Sequence, residues 1–143
     1  MKGKLIFELI CGLLIVLFVY TGLNKFTDHS FFSSQLSLYP LLKAAPNFFS
    51  LLIPAAELFI SVLLFLPPTR AMGLIASSGI LIVFTAYLCF MTLSGKNLPC
   101  SCGGVLTSMT WGEHIVFNSA FIMLGIAGIF LSRKFKAHVA EKE

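Results

Sequence analysis

Residues 5–23 read LIFELICGLLIVLFVYTGL, an almost uninterrupted apolar run. A helix needs about 20 such residues to cross the hydrocarbon core of a bilayer, so this stretch predicts a membrane-spanning helix. Lys2 and Lys4 precede the run as they would in a signal peptide. The run is nevertheless longer than the apolar region of a typical signal peptide, and no small-residue cleavage site follows it. We therefore expect this helix to be retained, with Asn24 and Lys25 at its end.

Three further apolar runs follow along the chain. Their approximate ranges are residues 48–66, 72–93 and 111–131. Of the 143 residues, 57% are hydrophobic and 11% are charged, whereas about a quarter of the residues in a soluble domain are charged. The composition excludes an ordinary soluble domain. The sequence predicts an all-α protein, an integral membrane four-helix bundle that forms one domain over residues 1–143.

The basic residues indicate the orientation of the bundle. The formal net charge is +4, but the lysines and arginines flank the apolar runs, which argues for membrane topology and against nucleic-acid binding. One set of alternating connections and tails holds Lys2, Lys4, Arg70, Arg133, Lys134, Lys136 and Lys142, and the other holds Lys25, Lys43 and Lys96. Because positive residues favour the cytoplasmic side, both termini are predicted to be cytoplasmic. Residues 24–47, which can include a short interfacial helix, and residues 94–110 then face outward.

A cysteine pair lies in the second outward segment. Cys100 and Cys102 are separated by one residue in the sequence PCSCGG, residues 99–104. Such a pair closes only a small, strained disulfide ring, and strained or exposed disulfides exchange readily with other thiols. This pattern favours a redox pair. A permanently closed structural turn, unpaired thiols and metal binding are the alternatives.

The other two cysteines lie within apolar runs. Cys89 is four residues before the end of the third run, about 6 Å below the outer boundary at about 1.5 Å per residue. It can meet the cysteine pair, or it can simply pack in the bundle. Cys11 is twelve residues from the end of the first run, about 18 Å deep by the same geometry. We expect Cys11 to have only a packing role.

Polar residues at the start of the fourth run are candidates for chemistry. Thr110 and Glu113 have the spacing of a capping box, which is a sufficient structural role for Glu113. His114 and Asn118 are four residues apart and so share one helix face. In a membrane helix such groups need protein partners or a polar pocket. His114 can hydrogen-bond to another helix, move protons for the cysteine pair, or join both cysteines in binding copper or zinc.

Glu57 lies near the middle of the second run, where an ionised carboxylate is costly. We expect this residue to be protonated or paired, with Tyr20, Asn24 or Lys25 as candidate partners on the first helix. Its role is then a bond between helices, or a function connected with protons or quinones. His29 and His138 are expected to be solvated surface residues.

Three segments together resemble the DoxX-like membrane proteins, and specifically their MauE branch. They are YTGLNKF at residues 20–26, PAAEL at residues 54–58, and PCSCGG followed by Trp111, His114 and Asn118. The resemblance implies a four-helix protein of the bacterial inner membrane, associated with thiol–disulfide chemistry of exported proteins and with methylamine utilisation. It also implies a thioredoxin-like extracytoplasmic partner. Cys100 and Cys102 match the cysteine pair of the family, and Glu57 matches the second-helix glutamate of the wider group.

These observations lead to one functional hypothesis and two alternatives. The hypothesis is a membrane thiol–disulfide oxidoreductase without a resident cofactor, and its lipid environment and thioredoxin-like partner are the expected contacts. Its candidate catalytic residues are Cys100, Cys102 and His114, with Cys89, Glu57 and Asn118 in support. The alternatives are a non-catalytic assembly subunit of a membrane oxidoreductase, and a carrier of copper or zinc bound by the three candidate catalytic residues.

Overall fold

The computed structural model describes residues 2–95 and 109–140, with side chains described up to residue 134. Within these ranges, all regular secondary structure is helical. The elements are α1 (Lys2–Thr27), α2 (His29–Leu36), α3 (Pro46–Phe65), a short 3₁₀ helix (Pro67–Thr69), α4 (Arg70–Leu93) and α5 (Trp111–Ala140). The prediction of an all-α protein is confirmed.

Four of these segments are long and apolar enough to cross a membrane. They are Lys2–Thr27, Pro46–Phe65, Pro67–Leu93 and Trp111–Lys134. The predicted runs were shorter at several ends because hydropathy marks the apolar part of a helix, while backbone hydrogen bonds continue into its polar ends. Pro54 does not interrupt the second span and lies inside α3. The protein is therefore a multi-pass membrane protein built on four helices.

The short helix expected before the second span is α2. Its Phe32 and Leu36 pack with Tyr39 and with Met91 of α4 in a small apolar cluster. His29 is not the solvated surface residue that the sequence suggested. It is half-buried, and its Nε2 lies 2.8 Å from the hydroxyl of the buried Ser50, because α2 folds back against α3.

The helices pack mainly in two pairs, α1 with α3 and α4 with α5. We call the end of the bundle where α1 and α4 begin the Arg70 end. The opposite end, which we call the Lys25 end, contains helix α2, the last turn of α1 and the start of α5. Two prolines at residues 67 and 68 stop α3, because proline cannot continue the helical hydrogen bonding. Near the end of α3, the Thr69 hydroxyl donates a hydrogen bond to the Leu63 carbonyl oxygen at 2.8 Å. Arg70 Nε donates one to the Leu64 carbonyl oxygen at 3.2 Å.

Glycines allow the helices to approach closely at the Arg70 end. A Cβ atom on Gly73 would lie 2.9 Å from the backbone nitrogen of Leu64, and one on Gly128 would lie 2.9 Å from Leu74 and 3.2 Å from Ile10. Small residues are typical of such helix contacts in membranes, where van der Waals packing replaces the hydrophobic effect. Cys11 is buried in this part of the core, in agreement with the packing role expected for it.

Candidate functional site

The Lys25 end contains a buried ion pair between α1 and α3. The Lys25 ammonium bonds Oε1 of Glu57, and the two residues are only 4% and 8% exposed. The Thr21 hydroxyl donates to the other carboxylate oxygen of Glu57 at 3.3 Å. Removing a charge from water is costly unless it is paired and hydrogen-bonded. Of the three partners considered for Glu57, Lys25 is thus the one that pairs with it.

The local packing of α1 explains why this pair forms. Thr21 and Lys25 are one helical turn apart and so face the same neighbour. Between them, Gly22 lets α3 approach: a Cβ atom there would lie 3.2 Å from Leu58 and 3.4 Å from the Pro54 carbonyl oxygen. Lys25 Nζ also lies 5.7 Å from the centre of the Phe32 ring, a distance that permits a cation–π interaction.

The first turns of α5 bring a second polar group to the same end. Thr110 and Glu113 form the predicted capping box: the Thr110 amide donates to Oε2 of Glu113 at 2.8 Å, and the Glu113 amide lies 3.4 Å from the Thr110 hydroxyl. His114 and Asn118 follow and are 2% and 4% exposed. The His114 ring lies 6.2 Å from that of Phe84 on α4. The buried Nδ2 of Asn118 has no hydrogen-bond partner among the described residues.

A cavity of about 300 Å³ joins the two polar groups. Residues from α1 to α5 and from the α2–α3 connection line it, and most of them are apolar or aromatic. Its lining residues with polar groups are Thr21, Lys25, Tyr39, Glu57, Tyr87, His114 and Asn118. A largely apolar cavity with a few convergent polar groups has the composition typical of small-molecule binding sites.

Residues 3–131 match the model of the family described as methylamine utilisation protein MauE. The match covers most of the chain, including both polar groups and the cysteine pair. The chain belongs to the MauE family. Membership of this family implies a role in methylamine utilisation. No curated protein and no solved structure matches the chain.

The structure brings three of the predicted site residues of this MauE-family protein to one cavity. Glu57, His114 and Asn118 all line it. Cys89 is half-buried in the last turns of α4 and is not one of the lining residues. Cys100 and Cys102 lie outside the described residues. The described part of the site is therefore a polar and aromatic cavity between helices.

Thr21 and Tyr87 are polar members of the site that sequence reasoning does not single out. The signal for Thr21 as a second partner of Glu57 is its position one turn before Lys25 on an apolar helix. Tyr87 lines the cavity and packs against Tyr39, with ring centres 5.8 Å apart. Tyrosine near the end of an apolar span is common at membrane interfaces, so the sequence offered no specific signal for it.

The described residues also bear on metal binding. Among them, no group of three or more histidine, cysteine, aspartate or glutamate side chains is close enough to hold a metal ion. The predicted alternative of copper or zinc binding requires Cys100 and Cys102 together with His114, and both cysteines lie outside the described residues. His114 itself is buried beside an aromatic ring at the cavity wall.

Proposed function

We propose that this MauE-family protein carries out thiol–disulfide exchange at the outer face of the bacterial inner membrane, during maturation of an exported protein of methylamine utilisation. The observation that carries the proposal is the Cys100-Ser101-Cys102 sequence in the segment that joins two membrane-spanning helices. A pair this close in sequence forms a strained disulfide that exchanges readily. The partner is a thioredoxin-like extracytoplasmic protein, and no resident metal or cofactor is needed.

The exchange uses both cysteines in sequence. A thiolate of the pair attacks the partner's disulfide, forms a mixed disulfide, and releases one partner sulfur as a thiolate. The second cysteine then attacks its neighbour's sulfur, which releases the partner as a dithiol and leaves Cys100 and Cys102 oxidised. Two electrons pass to the partner, and the reverse sequence oxidises it. His114, in the first turn of α5, is the proposed proton acceptor for the attacking thiol.

The arrangement of charges supports the proposed orientation. Lys2, Lys4, Arg70, Arg133 and Lys134 belong to the starts of α1 and α4 and to the later part of α5. Positive residues concentrate on the cytoplasmic side of membrane proteins. The segment between α4 and α5 is attached to the opposite ends of these helices. This favours cytoplasmic termini and an extracytoplasmic cysteine pair, where oxidising conditions permit disulfides.

Trapping the partner tests the proposal. Cys100→Ser and Cys102→Ser should each be made in a Cys89→Ala background, since Cys89 near the end of α4 could otherwise resolve the adduct. The variant that keeps the attacking cysteine should accumulate a covalent, reductant-sensitive adduct with a thioredoxin-like protein. Cys11→Ala is the matched control, because Cys11 is buried in the core and its removal should leave exchange intact.

Three results would contradict the exchange mechanism. One is the absence of an adduct in both variants. Another is stoichiometric copper or zinc that is lost with the cysteines, which would establish a metal carrier. The third is full activity and an intact membrane complex after both cysteines are replaced, which would identify a non-catalytic assembly subunit.

A further inference from the structure

We propose that the cavity at the Lys25 end binds a quinone, an uncharged lipid-soluble ring with oxygen atoms at opposite edges. Its walls combine an apolar, aromatic lining with polar groups contributed by two different sides of the bundle. Thr21, Lys25 and Glu57 come from α1 and α3, and His114 and Asn118 come from α5. Binding at this cavity does not depend on the cysteines.

The exposed residues of the lining indicate how a ligand would enter. Val83 lies near the middle of α4 and is 69% exposed, and Leu41, in the connection between α2 and α3, is 70% exposed. Both also line the cavity. Because α4 spans the membrane, a residue exposed at its middle faces the lipid. The cavity is therefore accessible to molecules dissolved in the bilayer.

The charges of the lining favour an uncharged ligand. Lys25 and Glu57 already neutralise each other, and the other charged side chains of the described residues are not among the lining residues. A ligand with a carboxylate or phosphate would bring a charge into an apolar space without a dedicated counter-ion, which is costly. This argues against a fatty acid or a phospholipid headgroup as the occupant.

The polar groups of the lining require acceptor atoms from the ligand. The buried Nδ2 of Asn118 has no partner among the described residues, and a buried donor without a partner is unfavourable. An ammonium group has three N–H donors, so Lys25 retains donors beyond its bond to Glu57. A carbonyl oxygen at each edge of a ring can accept one bond from α5 and one from α1. A plain acyl chain would leave these donors unsatisfied.

The aromatic lining fits a flat ring. Phe18, Phe32, Phe84 and Phe117 line the cavity together with the tyrosines at residues 39 and 87. Aromatic side chains stack or meet edge-on with other rings, and such pairs are stabilising beyond the apolar area that they bury. The volume of about 300 Å³ lies at the lower end of the range for small-molecule sites. The ring would occupy the cavity, and its isoprenoid tail would extend toward the lipid beside Val83.

Quenching of tryptophan fluorescence can measure the binding. Trp111 is the single tryptophan of the chain, and it packs against the cluster of Phe32, Leu36 and Tyr39 that lines the cavity. The purified protein in detergent would be titrated with a short-chain ubiquinone and, separately, with a naphthoquinone. A soluble tryptophan analogue in the same detergent corrects for light absorption by the quinone. We expect saturable quenching of Trp111 by at least one of the two probes.

A matched pair of asparagine variants tests the site. The Nδ2 atoms of Asn118 and Asn24 are both buried without a partner among the described residues, but Asn24 does not line the cavity. Asn118→Leu should weaken quinone binding about tenfold, the effect of one hydrogen bond. Asn24→Leu should leave it unchanged. The thermal midpoint of each variant in detergent shows that the fold is retained.

A variant at Val83 tests the route by which the quinone enters the cavity. Val83→Phe adds bulk at an exposed position and should weaken binding without loss of thermal stability.

A variant with Ser at both Cys100 and Cys102 should bind the quinone as the wild type does, whatever its exchange activity. Three results would overturn the proposal. The first is quenching that rises linearly with quinone concentration and does not saturate. The others are an equal loss of quinone affinity in both asparagine variants, and full displacement of the quinone by an uncharged alkane.

Discussion

The two ends of the bundle each have an ion pair between helices, and the surroundings of the two pairs differ. At the Lys25 end, the side chains of Lys25 and Glu57 are only 5% and 10% exposed and line a cavity. At the Arg70 end, Arg70 and Glu8 lie 2.7 Å apart with 21% and 43% of their side chains exposed. Neither residue of this second pair lines the cavity.

The helices are packed more closely around the Arg70–Glu8 pair than around the Lys25–Glu57 pair. At the Arg70 end, Gly73 and Gly128 allow direct contact of helix with helix, and the Arg70 side chain also bonds the end of α3. At the Lys25 end, large aromatic side chains surround the cavity of about 300 Å³. The Arg70 end thus has the character of a packed helix contact, whereas the Lys25 end retains space beside its charges. We infer that the ion pair at the Lys25 end serves a site, while the pair at the Arg70 end joins helices.

The largest expected effect comes from neutralising Glu57. Glu57→Gln preserves size but leaves the Lys25 ammonium buried without its counter-ion, which should destabilise the protein by about 3–5 kcal/mol. A lower thermal midpoint in detergent and reduced accumulation in the membrane would measure the loss. The double variant Lys25→Met with Glu57→Gln removes the buried charge and should recover most of the stability. A single variant as stable as the wild type would contradict a stabilising contact between Lys25 and Glu57.

The second effect tests the close packing of the Arg70 end. Gly73→Ala places a methyl group 2.9 Å from the Leu64 backbone nitrogen, and overpacking of this kind costs about 1–3 kcal/mol. Gly79→Ala is the matched control on the same helix, because no atom of a packed neighbour lies within 4 Å of its added methyl group. The control should be neutral or slightly stabilising, since alanine has the higher helix propensity. Equal thermal midpoints for the two variants would contradict the close contact.

The smallest effect is expected at the exposed pair. Glu8→Gln makes the same chemical change as Glu57→Gln, but water or lipid headgroups can solvate the partly exposed Arg70. The loss should be about 0–1 kcal/mol and should shrink further at high salt. Thermal midpoints at two salt concentrations measure it. If Glu8→Gln destabilises as much as Glu57→Gln, burial does not make the Lys25–Glu57 pair the more important one for stability.

The sequence predicted some of these features and not others. The apolar runs predicted four spans, and the spacing of Thr110 and Glu113 predicted the capping box that the structure contains. The mid-span position of Glu57 indicated a need for a partner, and Lys25 was one of three candidates. The contact of Thr21 with Glu57 and the contact of His29 with Ser50 were not predicted. These contacts depend on how α1 and α2 lie against α3, which hydropathy does not encode.

The sequence alone determined the class of the protein. Runs of about 20 apolar residues must become helices in a bilayer, because only internal hydrogen bonding satisfies the backbone there. The pattern of residues likewise carried the resemblance to the MauE family, which the family model confirms. The tertiary structure decided which polar residues meet. Lys25 and Glu57 are 32 residues apart, and only the close approach of α1 and α3 at Gly22, together with the position of α5, brings them to the same cavity as Asn118.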